Sequence, residues 1–362
     1  MLKFDEICGH EKVKEHMINA VKQKKPSHAY IITGPKLSGK KTIATTFAAA
    51  LQCEAPDGTG KPCMECRSCR KLLSGNHPDV FFVEKRNTAV SIDDIRLQIK
   101  DSIFIKPYES PFKIYIISEA EKMRSEAQNA LLKTLEEPPE YAVIILLCSS
   151  KEMMLDTILS RCVNLELRPV ESTKIKKYLM EEQHLVDYQS DICVAHAQGN
   201  VGKAIKLGNS PEFVEFQRNT LDQLAHIKDM ESHELVEFAK RIAAQTAKST
   251  KKQSKTDEDG DEKEEISVVS ANSENKLEID DYFDIMVLWY HEVLMIKASN
   301  DINTLVLKDR YYELKKVAGE VTFQGIQNVL EAIEKSRTRI RANVNIEIVM
   351  DLLLFTMKNE AS

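Results

Sequence analysis

The sequence predicts an α/β fold, a parallel sheet covered on both faces and organised around a phosphate-type loop, followed by a region built from helices alone. Three observations predict it. Apolar runs of strand length (Ala29–Ile32, Val80–Val83, Ile114–Ile117, Val143–Leu147 and Val163–Leu167) alternate with helical patterns up to about residue 168. The first run leads directly into Gly34-Pro35-Lys36-Leu37-Ser38-Gly39-Lys40-Lys41-Thr42, which opens an alanine-rich helical stretch, Ile43 to Leu51. From Pro169 onward the strand-like runs disappear and helical spacing takes over.

A strand–loop–helix setting is what a phosphate loop requires, because its amides and the helix N-terminus converge on an anion. Gly34 and Gly39 permit backbone conformations that side chains obstruct, and Lys40 is placed to reach the outer phosphates. The next position should carry Ser or Thr, whose hydroxyl binds magnesium. It is Lys41. An ammonium has three donors and no acceptor, so it cannot ligate a metal. Lys41 then either faces solvent or stands near the phosphates in place of part of the magnesium charge. Both leave a loop able to hold a phosphate and unable to seat the metal.

Taken in order, residues 10 to 23 carry Val13, Met17, Ile18, Ala20 and Val21 at helical spacing. Ser91 is a candidate N-cap, with Asp93 and Asp94 in the first turn and Ile92, Ile95 and Ile99 as a buried stripe. A helix expected over Glu121–Glu136 is stopped by Pro138-Pro139. These elements define a first domain, 1–168. Residues 169–208 read as a small helical lid ending near Gly199-Asn200, and 209–362 as an all-α domain. Helical segments at 211–229 and 231–246 precede a Lys-, Ser-, Asp- and Glu-dominated insert, 248–276, whose composition cannot bury a core and is expected to be disordered. Periodicity returns from Ile279, with Ile285, Leu288, Trp289, Val293 and Ile296 on one face.

The 43% hydrophobic and 29% charged content of the 362 residues is that of a globular chain with ample core material. No apolar run approaches the ~18–20 residues of a membrane helix, and the first residues lack the apolar region of a secretory signal. A cytoplasmic setting without membrane contact is expected. The net charge of −6 argues against a surface that is basic throughout.

Eight cysteines in a reducing compartment point to metal or free thiols ahead of disulfides. Cys53, Cys63, Cys66 and Cys69 read C-x9-C-x2-C-x2-C, a spacing that suits four thiolates around structural zinc. Free thiols and an iron–sulfur cluster are the rivals. For the cluster, the usual further cysteine and proline are replaced by Arg70-Lys71-Leu72. Cys8, Cys148, Cys162 and Cys193 are expected to be ordinary buried thiols.

A second nucleotide element should be an apolar strand ending in acids, and Ile114-Tyr115-Ile116-Ile117-Ser118-Glu119-Ala120-Glu121 has that shape. An active ATPase of this type carries Asp, to help hold magnesium, and then Glu, to orient water. Here Ser118 takes the first position and Glu119 keeps the second, so two metal-holding positions are lost together. Arg161, in Leu159-Ser160-Arg161-Cys162, would by itself read as one half of a surface ion pair.

Gly9-His10-Glu11, the phosphate loop, the four-cysteine insert, the run Asn129-Ala130-Leu131-Leu132-Lys133-Thr134-Leu135-Glu136-Glu137-Pro138-Pro139, and Ser160-Arg161-Cys162 follow one another in a recognisable order. Over residues 1–210 the chain resembles bacterial clamp-loader subunits of the AAA+ ATPase fold. The resemblance implies that the helices beyond 279 join a collar with other loader subunits. It also implies that the assembly, with gamma/tau and delta subunits as partners, opens a sliding clamp and places it on primed DNA. In that family gamma/tau subunits hydrolyse ATP, while the delta-prime branch shares the fold and is usually inactive. Lys41, Ser118 and Gly202, the last standing where an active subunit has an arginine toward its nucleotide, place this chain with the inactive branch, so ATP binding is expected to be weak or absent. Lys203 is one helical step, ~100°, away from that arginine's direction. The resemblance gives Arg161 the role of an arginine finger on a neighbour's ATP. Two rivals stay open: an active gamma/tau-type ATPase using Thr42 as the metal hydroxyl, and a zinc-dependent nucleic-acid-binding module.

Overall fold

The computed structural model describes residues 3–55, 58–83, 99, 102–247 and 279–360, with the side chains of 212 and 245–247 excepted. The expected helix after Ser91, apart from Ile99, and the insert 248–276 lie outside the described residues. The described chain forms two compact units: 1–178 with 197–203, and 179–196 with 204–362. The three short helices between 172 and 208 are shared between them.

The first unit holds a five-stranded sheet made of β1 (Ala29–Thr33), β2 (Val80–Val83), β3 (Lys113–Ile117), β4 (Ala142–Cys148) and β5 (Val163–Glu166). Its order is β2-β3-β4-β1-β5 and every pairing is parallel. Alternate residues of each central strand enter different cores. Tyr30, Ile32, Ile114, Ile116, Val143, Ile145 and Leu147 pack on one face. Ile31, Tyr115, Ile117, Ile144, Leu146 and Cys148 pack on the other. Burial on both sides is why these strands read as continuous apolar runs. Helices α1 (Glu11–Lys22) and α2 (Lys40–Leu51) cover the first face through Val13, Met17, Ile43 and Phe47. Helix α3 (Arg67–Leu73) joins that layer through Leu72. The other face is covered by α4 (Ser125–Glu136), which contributes Ala127, Leu131 and Leu135, and by α5 (Asp156–Leu159), which contributes Ile158.

Three differences from the expected boundaries bear on the site and its sheet. Helix α2 begins at Lys40, because Gly39 adopts a left-handed conformation (φ 88°) at its N-cap; Lys41 and Thr42 therefore stand in its first turn. The expected helix over 121–136 is interrupted: a 3₁₀ turn, Ala120–Lys122, is followed by extended Met123 and Arg124, and α4 starts at Ser125. Lys113 lies inside β3 and is buried, its ammonium taken up by the carbonyls of Ser102 (2.8 Å) and Ile105 (3.1 Å).

The short helices are α6 (Ser172–Glu181), α7 (Asp187–Ala197) and α8 (Val201–Gly208). The second unit is helical throughout its described length, with α9 (Pro211–Ala225), α10 (Ser232–Ala247), α11 (Ile279–Ser299), α12 (Tyr311–Glu320), α13 (Phe323–Arg341) and α14 (Ile346–Glu360). Ile285, Leu288, Trp289, Val293 and Ile296 are all buried, as their spacing predicts. Buried Glu292 accepts the N–H groups of Val306 (2.7 Å) and Leu307 (3.0 Å), fixing the turn that follows α11. No described helix is long and apolar enough to cross a membrane.

Candidate functional site

The phosphate-type loop runs from the end of β1 to Gly39 and is tied to β4 by Gly34 N–H donating to Cys148 O at 3.1 Å. Gly34 has no room for a side chain, since a Cβ would lie 2.8 Å from Ser38 Oγ and 3.0 Å from Leu167 Cβ. Lys40 turns back on its own loop: Nζ donates to the carbonyls of Gly34 (2.6 Å) and Pro35 (2.7 Å). Burial lowers its pKa, and the Glu121 carboxylate and Cys148 oppose that shift. Ser38 Oγ is buried without a partner. Lys41 is exposed, with its ammonium 5.6 Å from the centroid of the Phe82 ring. Thr42, the alternative metal hydroxyl, is half-buried one residue further along.

The loop is also held from residues 199–203. Asn200 Nδ2 donates to Lys36 O at 2.7 Å, while its Oδ1 accepts Lys203 N–H at 3.1 Å and so caps the start of α8. Gly202 sits against the loop backbone, where a Cβ would stand 2.2 Å from Leu37 O. Leu37 itself is left-handed (φ 65°). This contact has no place for a larger residue at 202.

At the end of β3, Ser118 N–H donates to Val83 O at 3.2 Å. Glu119 is left-handed (φ 51°) and pairs with Lys122 at 2.7 Å. The acid beside the loop is Glu121, the last residue of the Ile114–Glu121 stretch, and not Glu119, to which the pattern assigns the water-orienting role. Glu121 is buried in the 3₁₀ turn, close to Lys40 and Cys148, with Oε2 unpartnered. Burial first, and then Glu121, pushes the Cys148 thiol up to about 11. A kinked return after the strand brings Glu121 there, and nothing in the local pattern signals that return.

Arg161 follows α5. Its Nη1 donates to Thr157 O (2.9 Å) and its Nη2 to Glu136 Oε1 (2.8 Å), with the side chain 36% exposed. Glu136 is the last residue of α4 and belongs to the Asn129–Pro139 run, so the two most distinctive motifs meet in this ion pair. Arg161 also borders a cleft of about 460 Å³ whose walls include His28, Pro138, Pro139 and Ser160.

The four-cysteine cluster is assembled as its spacing predicts. One sulfur from each of Cys53, Cys63, Cys66 and Cys69 lies within 4.8 Å of the others. A tetrahedron with Zn–S bonds of about 2.3 Å has sulfurs about 3.8 Å apart, and Cys63 and Cys69 are already at 4.0 Å. N–H groups point at the sulfurs, from Cys63 to Cys53 (3.5 Å), from Glu65 and Cys66 to Cys63 (3.5 and 3.3 Å), and from Cys69 to Cys66 (3.4 Å). Burial raises the Cys63 thiol, but the N–H groups of Cys66 and Glu65 outweigh it and bring the pKa down to about 7. Cys53 and Cys69 are pushed up, chiefly by burial. Such a donor set fits a tetrahedral, thiolate-preferring ion and leaves no open coordination position. Cys148, Cys162 and Cys193 are buried and Cys8 is half-buried.

The family model described as "DNA polymerase III, delta subunit" matches residues 9–171. The chain is 28% identical over 348 residues to DNA polymerase III subunit delta' of Bacillus subtilis, covering 96% of this chain and 95% of that one. It is 36% identical over 211 residues to subunit tau of the same organism and 32% identical over 209 residues to subunit tau/gamma of Haemophilus influenzae. Those two matches take in 57% and 56% of this chain but only 37% and 30% of the relatives. Among solved structures, a gamma subunit-related protein of Thermotoga maritima aligns with a TM-score of 0.47 at 19% identity, covering 96% of this chain and 99% of that one. Over residues 9–171 the chain is thus similar to the DNA polymerase III delta-subunit family, and its relatives are DNA polymerase III subunits of both the delta' and the tau/gamma kind.

Proposed function

We propose that this chain is a non-hydrolysing, delta-prime-type subunit of a DNA polymerase III clamp loader, helping to load a sliding clamp onto primed DNA during replication. The observation that carries this reading is the state of the phosphate-type loop. Lys40 is satisfied by the loop's own carbonyls, Lys41 lies over Phe82, and Ser118 brings no carboxylate to the end of β3. Hydrolysis of a nucleoside triphosphate needs a divalent ion bridging the phosphates, seated by a hydroxyl and an acid. Both seats are missing from the positions where the family's pattern puts them, and the full-length match to a delta' subunit accords with that. Residual nucleotide binding is weak or absent in this reading.

The chain's contribution to catalysis is then made on a neighbour. Arg161 presents its guanidinium at the surface, held by Glu136 and Thr157, and reaches the ATP of an adjacent gamma/tau-type subunit. A cation supplied in this way is worth roughly 10³–10⁵ in rate. In the same reading 1–168 is the nucleotide-type domain, 169–208 a lid, and 209–362 the collar that joins the gamma/tau and delta subunits. The four cysteines hold structural zinc, which ties Cys53 to α3 and takes no part in hydrolysis. Arg161→Ala tests the trans role. ATPase of the reconstituted complex should drop, by the share of the site that Arg161 serves, while assembly, read by size-exclusion chromatography, persists. Unchanged turnover in the intact complex would refute it.

A further inference from the structure

Cys66 caps α3 and Cys69 lies in its first turn, so two of the four sulfurs fix the start of a seven-residue helix. A helix that short is not stable by itself and depends on what holds its ends. Ser68, between those two cysteines, is buried and places Oγ 2.9 Å from His77 Nε2. His77 Nδ1 accepts the N–H of Asp79 at 3.1 Å. The ring proton is therefore on Nε2, which donates to Ser68 or, at 3.3 Å, to Ser110. Asp79 is 1% exposed and its carboxylate accepts three backbone N–H groups, from Tyr108 (2.6 Å), Glu109 (2.9 Å) and Ser110 (3.1 Å). Lys71, also on α3, pairs with Glu109 at 2.5 Å.

These bonds converge on one loop, 102–112, whose other side is held by Lys113 through the carbonyls of Ser102 and Ile105. The backbone is pinned while the large side chains stand outward. Phe104 and Ile105 are each 63% exposed and Tyr108 is 86% exposed. An apolar tip on a loop would ordinarily fold back on the protein, and here the hydrogen bonds to Asp79 hold it out.

We propose that the four-cysteine cluster, once metallated, is a brace for loop 102–112. The thiolates fix α3, α3 positions His77 through Ser68 and Glu109 through Lys71, and His77 with Asp79 sets the loop conformation that carries Phe104, Ile105 and Tyr108 outside. The metal thereby governs a surface to which it contributes no atom. This rests on the reading of the cluster as a metal site. The competing account is that Leu72, packed in the core, anchors α3 without any metal, and the loop is then indifferent to the cluster.

The experiment is hydrogen exchange on the full chain, followed in peptides covering 103–112, with zinc content measured on each sample. Four samples are compared: the zinc-loaded chain, the chelated chain, the chelated chain with zinc restored, and His77→Ala. Removing zinc should speed exchange in 103–112 about tenfold or more, with restoration by added zinc. His77→Ala should speed it similarly while its zinc content stays full. Strands β1 and β4 serve as the control for global folding and should not change. Zinc removal that leaves 103–112 as protected as before overturns the brace alone, as does loosening that His77→Ala fails to reproduce. A chain that takes up no zinc overturns the metal reading and the brace with it.

Discussion

Gly202→Ala is the smallest perturbation of the contact between the phosphate-type loop and residues 199–203. The added Cβ would stand 2.2 Å from Leu37 O and 3.2 Å from Leu37 C, both backbone atoms, so no side-chain rotation relieves it. Overpacking of this kind costs about 1–3 kcal/mol. Separating the two segments also strains the Asn200–Lys36 hydrogen bond, worth about 1 kcal/mol. Against this, replacing glycine inside a helix returns at most about 1 kcal/mol, and less in the first turn of α8, where residue 202 lies. The net loss is about 2 kcal/mol of local stability, enough to raise amide exchange about thirtyfold. Because the contact is mutual, exchange should rise together in 34–40 and in 199–203, while β3 and β4 stay protected. If 34–40 kept its wild-type protection, the loop would not be leaning on α8. The claim that this contact excludes a nucleotide-directed arginine at 202 would then fail.

Two further outcomes follow from contacts in the structure. Glu136→Gln removes the carboxylate that holds Arg161; exposed pairs of this kind are worth about 0.2–1 kcal/mol, so stability should change by less than that, read by chemical denaturation. ATPase of the reconstituted complex should move less than for Arg161→Ala. His77 has its pKa lowered, first by burial and also by Lys71, while Asp79, Glu109 and Glu54 oppose the shift. Its neutral form is the one the fold prefers, so its contribution is complete above the ordinary histidine value of 6.5 and declines as pH drops through that value towards the lower folded one. Protection factors of 103–112 should fall between pH 7.5 and pH 5.5 in the zinc-loaded chain, and this dependence should be absent in His77→Ala.

The sheet was legible because its strands are buried on both faces, which makes Val143–Leu147 or Ile114–Ile117 apolar without interruption. The four cysteines were equally legible, since local spacing alone brings three of them together. What resisted reading depends on residues far apart in the chain. Lys113 looks like a flanking charge until Ser102 and Ile105 supply its acceptors. Glu121 sits in a stretch of good helix formers, yet burial of Ala120 and Met123 bends that stretch into a 3₁₀ turn and carries the carboxylate to Lys40. Glu136 and Arg161 are 25 residues apart, and the relay from Ser68 through His77 and Asp79 to Ser110 spans more than forty. Local pattern carries no record of such meetings.

Calorimetric titration of the isolated chain with ATP, with and without magnesium and paired with a phosphate-release assay, bears most directly on the central claim. The account predicts no turnover and no gain in affinity when magnesium is added, because neither Lys41 nor Ser118 gives the ion a seat. Magnesium-dependent hydrolysis by the lone polypeptide would contradict it.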